Sequence, residues 1–498
     1  MQTPDFLTIL GLALVVWAII PNKERRFILL FFSSFELVFF VASLFLIHYL
    51  MSFDWLIANW FPSLSNFTID KGLPSSTWAY MLSLALIFYP IIKVSFGYFS
   101  PSRLKKMISL YEIYLKENEI NLLVNYISKY HIDDIQKYLQ GISHLPQKEN
   151  IDIILRRRTY KNKEYERLVK PQRVLFASWV YEHIIQNENF IRKSANKYPK
   201  LFTTALSGME TKKSTNKDLV KLFIECLFEN KNELFIQELK FMNRTNSSIL
   251  EINENYDIPI LFSLFAHTKV AADNYVWYPV GEGAVKSLKH DTKQKDFLIR
   301  KYDHDLEPEL WNQKIHIAIV YFNYMVRETI YRNSEWHMGL FYFRHFTDLL
   351  IEVIPTSNDY DGDSEYPSFA HKMIYEQFSI MTYWLDLARE QETDNRVIDT
   401  IRCLGWCVHS ICQADNSKIS IGFRRRQLDL LLSTYFEFSH YPDNISATTT
   451  RKWLESMFFN PKGVDFGTPN RTTEYLNALQ DAWNEFDKVP YKYHEDNG

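Results

Sequence analysis

Glycine is scarce in this chain, with 14 residues in 498. Folds that turn many hairpins or cradle phosphates on flexible loops use it freely, so the shortage argues for an all-α protein. Cysteine is scarcer, with four residues, which excludes a disulfide framework. Three of the four, Cys403, Cys407 and Cys412, share one short segment, a usage that fits a reducing compartment. An excess of one charge is missing as well. At a formal net charge of −3, no global basic field calls for nucleic acid as the main partner, although local basic clusters leave it open. Alternating β-branched runs are absent, and the nearest turn signal, "YDGDSEYP", lies between two helical stretches. HExxH, Gly-x-Ser-x-Gly and a dinucleotide fingerprint are absent too. "GEGAVKS" and "GMETKKST" lack Gly-Lys-Ser/Thr at the spacing of a phosphate loop, which disfavours a nucleotide hydrolase. No cofactor and no metal is implied.

Aromatic side chains and apolar runs are present in quantity. Phe, Trp and Tyr make up 16% of the chain, and three apolar runs crowd into its start while none follows residue 100. They cover Phe6–Ile20, Phe27–Met51 and Trp78–Gly97, and the second alone exceeds the roughly 20 residues a bilayer crossing needs. The first is not a secretory signal, because no Lys or Arg precedes it and no small-residue cleavage site follows. Buried core helices are the alternative for all three, but a soluble helix rarely lacks a polar face for so long.

Basic residues between the runs set the expected orientation. Lys23, Arg25 and Arg26 separate the first two runs. Asp54, Asp70 and a single Lys71 lie in the next loop, and Arg103, Lys105 and Lys106 follow the third run. The expectation is a multi-pass protein of the bacterial inner membrane, its N-terminus outside and everything after Gly97 in the cytoplasm. Trp55 and Trp60 of the outer loop would form an aromatic belt. Glu36 stands within the second run, near the middle of the bilayer on this reading. An ionisable group there lines a pore, carries a proton or packs between protomers; the plainer alternative is a neutral carboxyl bonded to Ser33, Ser34 or a neighbouring helix.

From about residue 101 onward apolar residues recur at three- and four-residue steps, as in "RLKKMISLYEIYLKENEINLLVNYISKY" and "ELWNQKIHIAIVYFNYMVRETIY". Charged, Pro-marked connectors divide this body, and "PVGEGAVKSLKHDTKQK" reads as a further helix break near 279–295. The expected architecture is all-α: a transmembrane domain over 1–100, a juxtamembrane helical region over 101–275 and an aromatic-rich helical region over 276–498.

Five clusters in the body carry potential chemistry. "YRNSEWHM" sets Arg332 and His337 with four residues between them, and Asn333 directly after the arginine. The spacing resembles the Arg-x4–6-His motif of HEPN ribonucleases, which are all-helical dimers. The resemblance implies that His337 acts on the 2′-hydroxyl while Arg332 stabilises the phosphorane charge. A capping or salt-bridged cluster at a helix junction is the alternative. "CLGWCVHSIC" gathers Cys403, Cys407, His409 and Cys412, but on one helix His409 points away from the thiols, so packed cysteines are favoured over zinc. "NDYDGDSE" sets Asp359, Asp361, Asp363 and Glu365 in an acidic turn without the closing glutamate of an EF-hand. Arg156, Arg157 and Arg158, with Arg424, Arg425 and Arg426, form two basic clusters suited to lipid headgroups or phosphate, or to a charged helix face.

Taken together, the expected function is a membrane-anchored sensor or docking protein. Its body binds a cytoplasmic protein and its spans, embedded in the lipid bilayer, anchor or gate, in homo-oligomeric form if a pore is made. By architectural analogy alone, such layouts occur among membrane effectors of phage defence. A tethered HEPN-like ribonuclease and an ion-conducting oligomer using Glu36 are the alternatives.

Overall fold

Every described element of the computed structural model is helical. The structure describes residues 17–59, 75–95, 104–139, 171–207, 217–245, 258–334, 338–356, 365–459 and 473–486, together with 11 and 15 and without 267 and 393. Most of the expected crossing Phe6–Ile20 therefore lies outside the described residues. So do Trp60, Asp70, Lys71, Arg103, Arg156, Arg157, Arg158, His337, Asp359, Asp361 and Asp363, and the Trp55 side chain. The chain divides into two compact units, residues 1–185 and 186–498. The boundary expected near 275 falls inside the second.

In the first unit, α1 (Asn22–Leu29) and α2 (Ser34–Asn59) replace the single uninterrupted crossing expected over Phe27–Met51. The break is local chemistry. Ser33, Ser34, Phe35 and Glu36 form a capping box: the Ser33 amide donates to Glu36 Oε2 at 2.7 Å, and the Glu36 amide donates to Ser33 Oγ at 3.2 Å. Two donors that a continuous helix would have satisfied are thus satisfied by side chains, and a new helix starts at Ser34. Glu36 consequently sits in the first turn of α2, not halfway along a crossing.

Helix α2 pairs with α3 (Ser75–Ser95). Ile47, Ala79 and Leu86 are buried in their seam, with Phe40, Leu44 and Leu82 packed against them. Ser43 and Ser83 are buried as well, and Ser83 returns its hydroxyl to the Ala79 carbonyl at 2.7 Å. Small residues four apart, Ala79 and Ser83, let two backbones approach, the device that packs helices in lipid. The rest of both helices is apolar and uncovered: Phe35 is 78% exposed, Phe45 73% and Val38 67%. Among the described residues, two helices, Ser34–Ser52 and Ser75–Ser95, are long and apolar enough to cross a membrane, and only 11% and 17% of them is buried.

Helix α1 docks elsewhere in the same unit, onto α4 (Leu104–Lys116) and α5 (Ile120–Tyr130). The Phe27 ring lies parallel to Tyr126 with centroids 3.6 Å apart, and Phe31 packs on Tyr130 at 5.2 Å. Tyr114 donates to the Lys23 carbonyl at 2.7 Å, while the Lys23 ammonium pairs with Glu117 at 3.4 Å and with Glu119. Residues before α2 and residues after α3 are therefore joined at one end of the hairpin. Helices α6 (Ile132–Leu139) and α7 (Pro171–Val180), the latter continued by a single π-turn at Tyr181–Ile185, close this layer. There Tyr111 and His131 share a buried hydrogen bond of 2.8 Å beneath Phe176.

The second unit is a stack of helices. Its first part holds α8 (Glu188–Ser194), α9 (Pro199–Ser207), α10 (Lys217–Glu229), α11 (Glu233–Met242), α12 (Pro259–Phe265) and α13 (Thr268–Asp273). Helices α14 (Trp277–His290) and α15 (Thr292–Leu298) and a 3-10 turn over His304–Asn312 lead to the central α16 (Lys314–Tyr331). The remainder is α17 (Met338–Val353), α18 (Phe369–Glu390), α19 (Asp394–Gln413), α20 (Ile421–Phe438), α21 (Ile445–Phe459) and α22 (Thr473–Phe486).

Helix α16 is buried on every side from Ile315 to Ile330, which is how an all-round apolar helix is satisfied in a core. Its polar side chains are matched. Asn323 accepts from Trp384 Nε1 at 2.9 Å, Tyr321 donates to the Val276 carbonyl at 3.0 Å, and Tyr324 donates to the Met242 carbonyl. A buried carboxylate, Glu238 of α11, accepts from the Ile260 and Leu261 amides at 3.1 and 2.8 Å and so caps α12 from outside. Of the helix break expected near 279–295, residues 279–290 are instead the body of α14, and the break falls at Asp291, whose side chain caps α15. Pro279 falls in the first turn of α14, where a missing N–H costs nothing. Gly281 is required by close approach, since a Cβ there would stand 2.2 Å from the Tyr342 ring of α17.

Candidate functional site

The polar end of the hairpin is the most concentrated chemistry in the first unit. Glu36 Oε1 accepts from both the Tyr89 hydroxyl and the Lys93 ammonium, while Oε2 takes the Ser33 amide. Backbone architecture selects these positions. Glu36 is at the start of α2 and Lys93 in the last turn of the antiparallel α3, so each charge faces the helix end that favours it. The pair is largely withdrawn from solvent, Lys93 14% and Glu36 25% exposed. The Lys93 ammonium also lies 5.4 Å from the Phe32 ring centroid and 5.6 Å from that of Tyr89. Pro90, inside α3, removes one backbone donor next to this cluster.

A cleft of about 700 Å³ opens beside the cluster. Trp17, Phe32, Phe40, Leu44 and Leu82 are among its walls, and Glu36 and Tyr89 are its polar lining. Sequence reading reached Glu36 but did not join it to Lys93 or Tyr89. The Ser-x-x-Glu spacing was the available signal: a capping box at Ser33 puts Glu36 at a helix start and so within reach of the end of an antiparallel neighbour.

The remaining clusters fall in the second unit. Arg332 is the C-cap residue just after α16, and its Nε meets Glu328 Oε2 at 3.3 Å, with Glu328 almost fully buried. Asn333 has φ 46°, and the Ser334 amide donates to the Thr329 carbonyl at 2.9 Å. This is a left-handed residue ending a helix, a position Asn tolerates better than most. Arg332 and Asn333 thus have a local structural use, while His337 lies outside the described residues.

Cys403, Cys407 and Cys412 are buried free thiols on α19. Cys403 donates to the Leu340 carbonyl at 3.1 Å and Cys407 accepts from Thr347 at 3.4 Å. The neighbouring Cys407 and burial hold the Cys403 thiol well above the ordinary value, and burial pushes Cys412 up to about 12. Among the described residues, no three His, Cys, Asp or Glu side chains converge as a metal site requires.

Arg424 turns inward, 9% exposed. It donates to the Ile411 carbonyl at 2.8 Å, to Asn416 Oδ1 at 2.6 Å and to the Ala414 carbonyl, closing the C-terminus of α19. Arg425 pairs with Asp429 at 2.7 Å and donates to the Asp481 carbonyl at 2.9 Å. Arg426 lies 6.0 Å from the Phe423 ring. A polar cavity of about 580 Å³, lined in part by Arg424, Arg425, Asp415 and Asp481, opens beside them.

No family model, no curated protein and no solved structure matches the chain.

Proposed function

We propose that this protein is a membrane-anchored docking protein: α2 and α3 cross a bilayer as a hairpin, and the helical body binds a cytoplasmic protein partner. The observation that carries the first half is the uncovered apolar surface of both helices, a surface too large and too continuous to face water. A core helix of a soluble protein would be mostly buried. The contact of α1 with α4 and α5 supports the same reading, because two crossings return the chain to the side it left.

On the basic residues at that end, Lys23, Arg25 and Arg26 with Lys105 and Lys106, the side is cytoplasmic. The run Phe6–Ile20 is then a third crossing, with the N-terminus outside. The second half of the reading rests on the extent of helical surface in a 313-position unit, residues 186–498, tethered behind a short anchor.

Fractionation of cells expressing the tagged full chain tests the anchor. The chain should stay in the membrane pellet through a carbonate wash, and a C-terminal tag should resist protease added to spheroplasts. Recovery in the supernatant, or digestion of the tag, overturns the reading. Co-purification from solubilised membranes tests the docking role: one stoichiometric protein supports it, and RNA cleavage abolished by His337→Ala replaces it with the nuclease.

A further inference from the structure

The cleft beside Glu36 has an address and a polarity that the anchor alone does not need. Its floor runs along α2 from Glu36 to Leu44, eight residues or about 12 Å of helix, away from the charged end and into the apolar stretch. Its volume, about 700 Å³, is that of a ligand site and not of a packing defect. Apart from Glu36 and Tyr89, the wall is made of aromatic, aliphatic and proline side chains. Something apolar and elongated fills such a space, with a polar end at Glu36.

The mouth specifies that polar end. A carboxylate offers about four acceptor positions and an ammonium three donors. Glu36 uses three, for Ser33, Tyr89 and Lys93. Lys93 directs one donor to Glu36 and one, at 3.4 Å, towards the Tyr89 oxygen. One acceptor remains on Glu36, which lines the cleft, and one donor on Lys93, which adjoins the lining through Glu36 and Tyr89. A purely anionic headgroup would meet Glu36, and a purely cationic one would meet Lys93.

We propose that this cleft is a phospholipid site, taking one acyl chain of a lipid with a zwitterionic, primary-amine headgroup. Its ammonium bonds Glu36 and its phosphate bonds Lys93. The site rests on the membrane reading above and adds a selectivity to it.

The test uses the full chain extracted in mild detergent from the pellet of fractionated membranes, with bound phospholipids identified by mass spectrometry. Two variants are compared. Ala85→Trp fills the cleft from an exposed position on its wall. Glu36→Gln keeps the capping box, which accepts Gln at that position, and removes the charge. In the unaltered chain, primary-amine phospholipid should be enriched about tenfold over its share of the membrane, the factor worth one charge-assisted hydrogen bond. Ala85→Trp should lose the bound lipid while keeping its helical circular dichroism. Glu36→Gln should retain lipid but return its composition to that of the bulk, and this arm decides if Ala85→Trp does not fold. Bound lipid of bulk composition in the unaltered chain overturns the site while leaving the anchor intact. A chain absent from the pellet overturns the anchor itself.

Discussion

Replacing Arg424 by methionine separates a structural arginine from a ligand-facing one. The methionine keeps the aliphatic stem and removes the guanidinium. Three acceptors then lose their donor: the Ile411 carbonyl, Asn416 Oδ1 and the Ala414 carbonyl. Asn416 and Ala414 line the polar cavity and can be rehydrated there, whereas Ile411 does not line it. An orphaned buried acceptor costs about 1–3 kcal/mol, and exchanging two charge-assisted bonds for water costs about 1.5 kcal/mol each. With the lost cation at a helix C-terminus, the total is about 5 kcal/mol. For a unit of this size the melting temperature should fall by about 8 °C.

Thermal unfolding of the full chain in detergent, followed at the helical circular dichroism minimum, measures this shift. Arg425→Met is the control. Its bonds to Asp429 and to the Asp481 carbonyl lie nearer the surface, and its loss should cost about 1 kcal/mol. An unchanged melting temperature in Arg424→Met, combined with lost binding to anionic vesicles, would refute the capping argument and restore the phosphate-facing reading.

Three further outcomes follow from the second unit. His371 accepts from Ser368 and donates to the Lys418 carbonyl at 3.0 Å, and burial lowers it from 6.5 to about 4. Its neutral form is the folded one, so stability is full above pH 6.5 and is lost as pH falls towards 4, by about 3 kcal/mol; His371→Asn should flatten that limb of a pH–stability curve. Asn333→Gly should leave stability within about 1 kcal/mol, since glycine adopts φ 46° freely, whereas Asn333→Val should lose about 2 kcal/mol by denaturant titration; equal losses would contradict the helix-terminator role. None of the four buried thiols should react with an aromatic disulfide reagent in the native chain near neutral pH, and all four should react in guanidinium.

Much of the fold was legible in the chain. The all-helical class followed from scarce glycine and a 3.6-residue rhythm, and the apolar runs correctly marked the hairpin. The break between Leu30 and Ser33 was hidden because Phe27 and Phe31 are as apolar as any lipid-facing residue. Hydropathy cannot tell a ring against Tyr126 from a ring against an acyl chain. Gly281 misled for a related reason: in α14 it serves close contact with Tyr342, not a turn. Arg424 was indistinguishable from its two neighbours in sequence, since helix rotation alone turns one inward. Of the site, the single acid was visible and its partners were not, because Tyr89 and Lys93 are brought to Glu36 by hairpin pairing across a loop.

The clasp formed by α1 has a bearing on biogenesis. Lys23 and Glu119 stand 96 positions apart along the chain, so this latch cannot shut during synthesis until α2, α3 and α4 have emerged from the ribosome. Until then Phe27 and Phe31 are bare, and a nascent chain stalled midway presents them to chaperones and proteases. Closure of the latch therefore comes only after the hairpin and α4 have been synthesised.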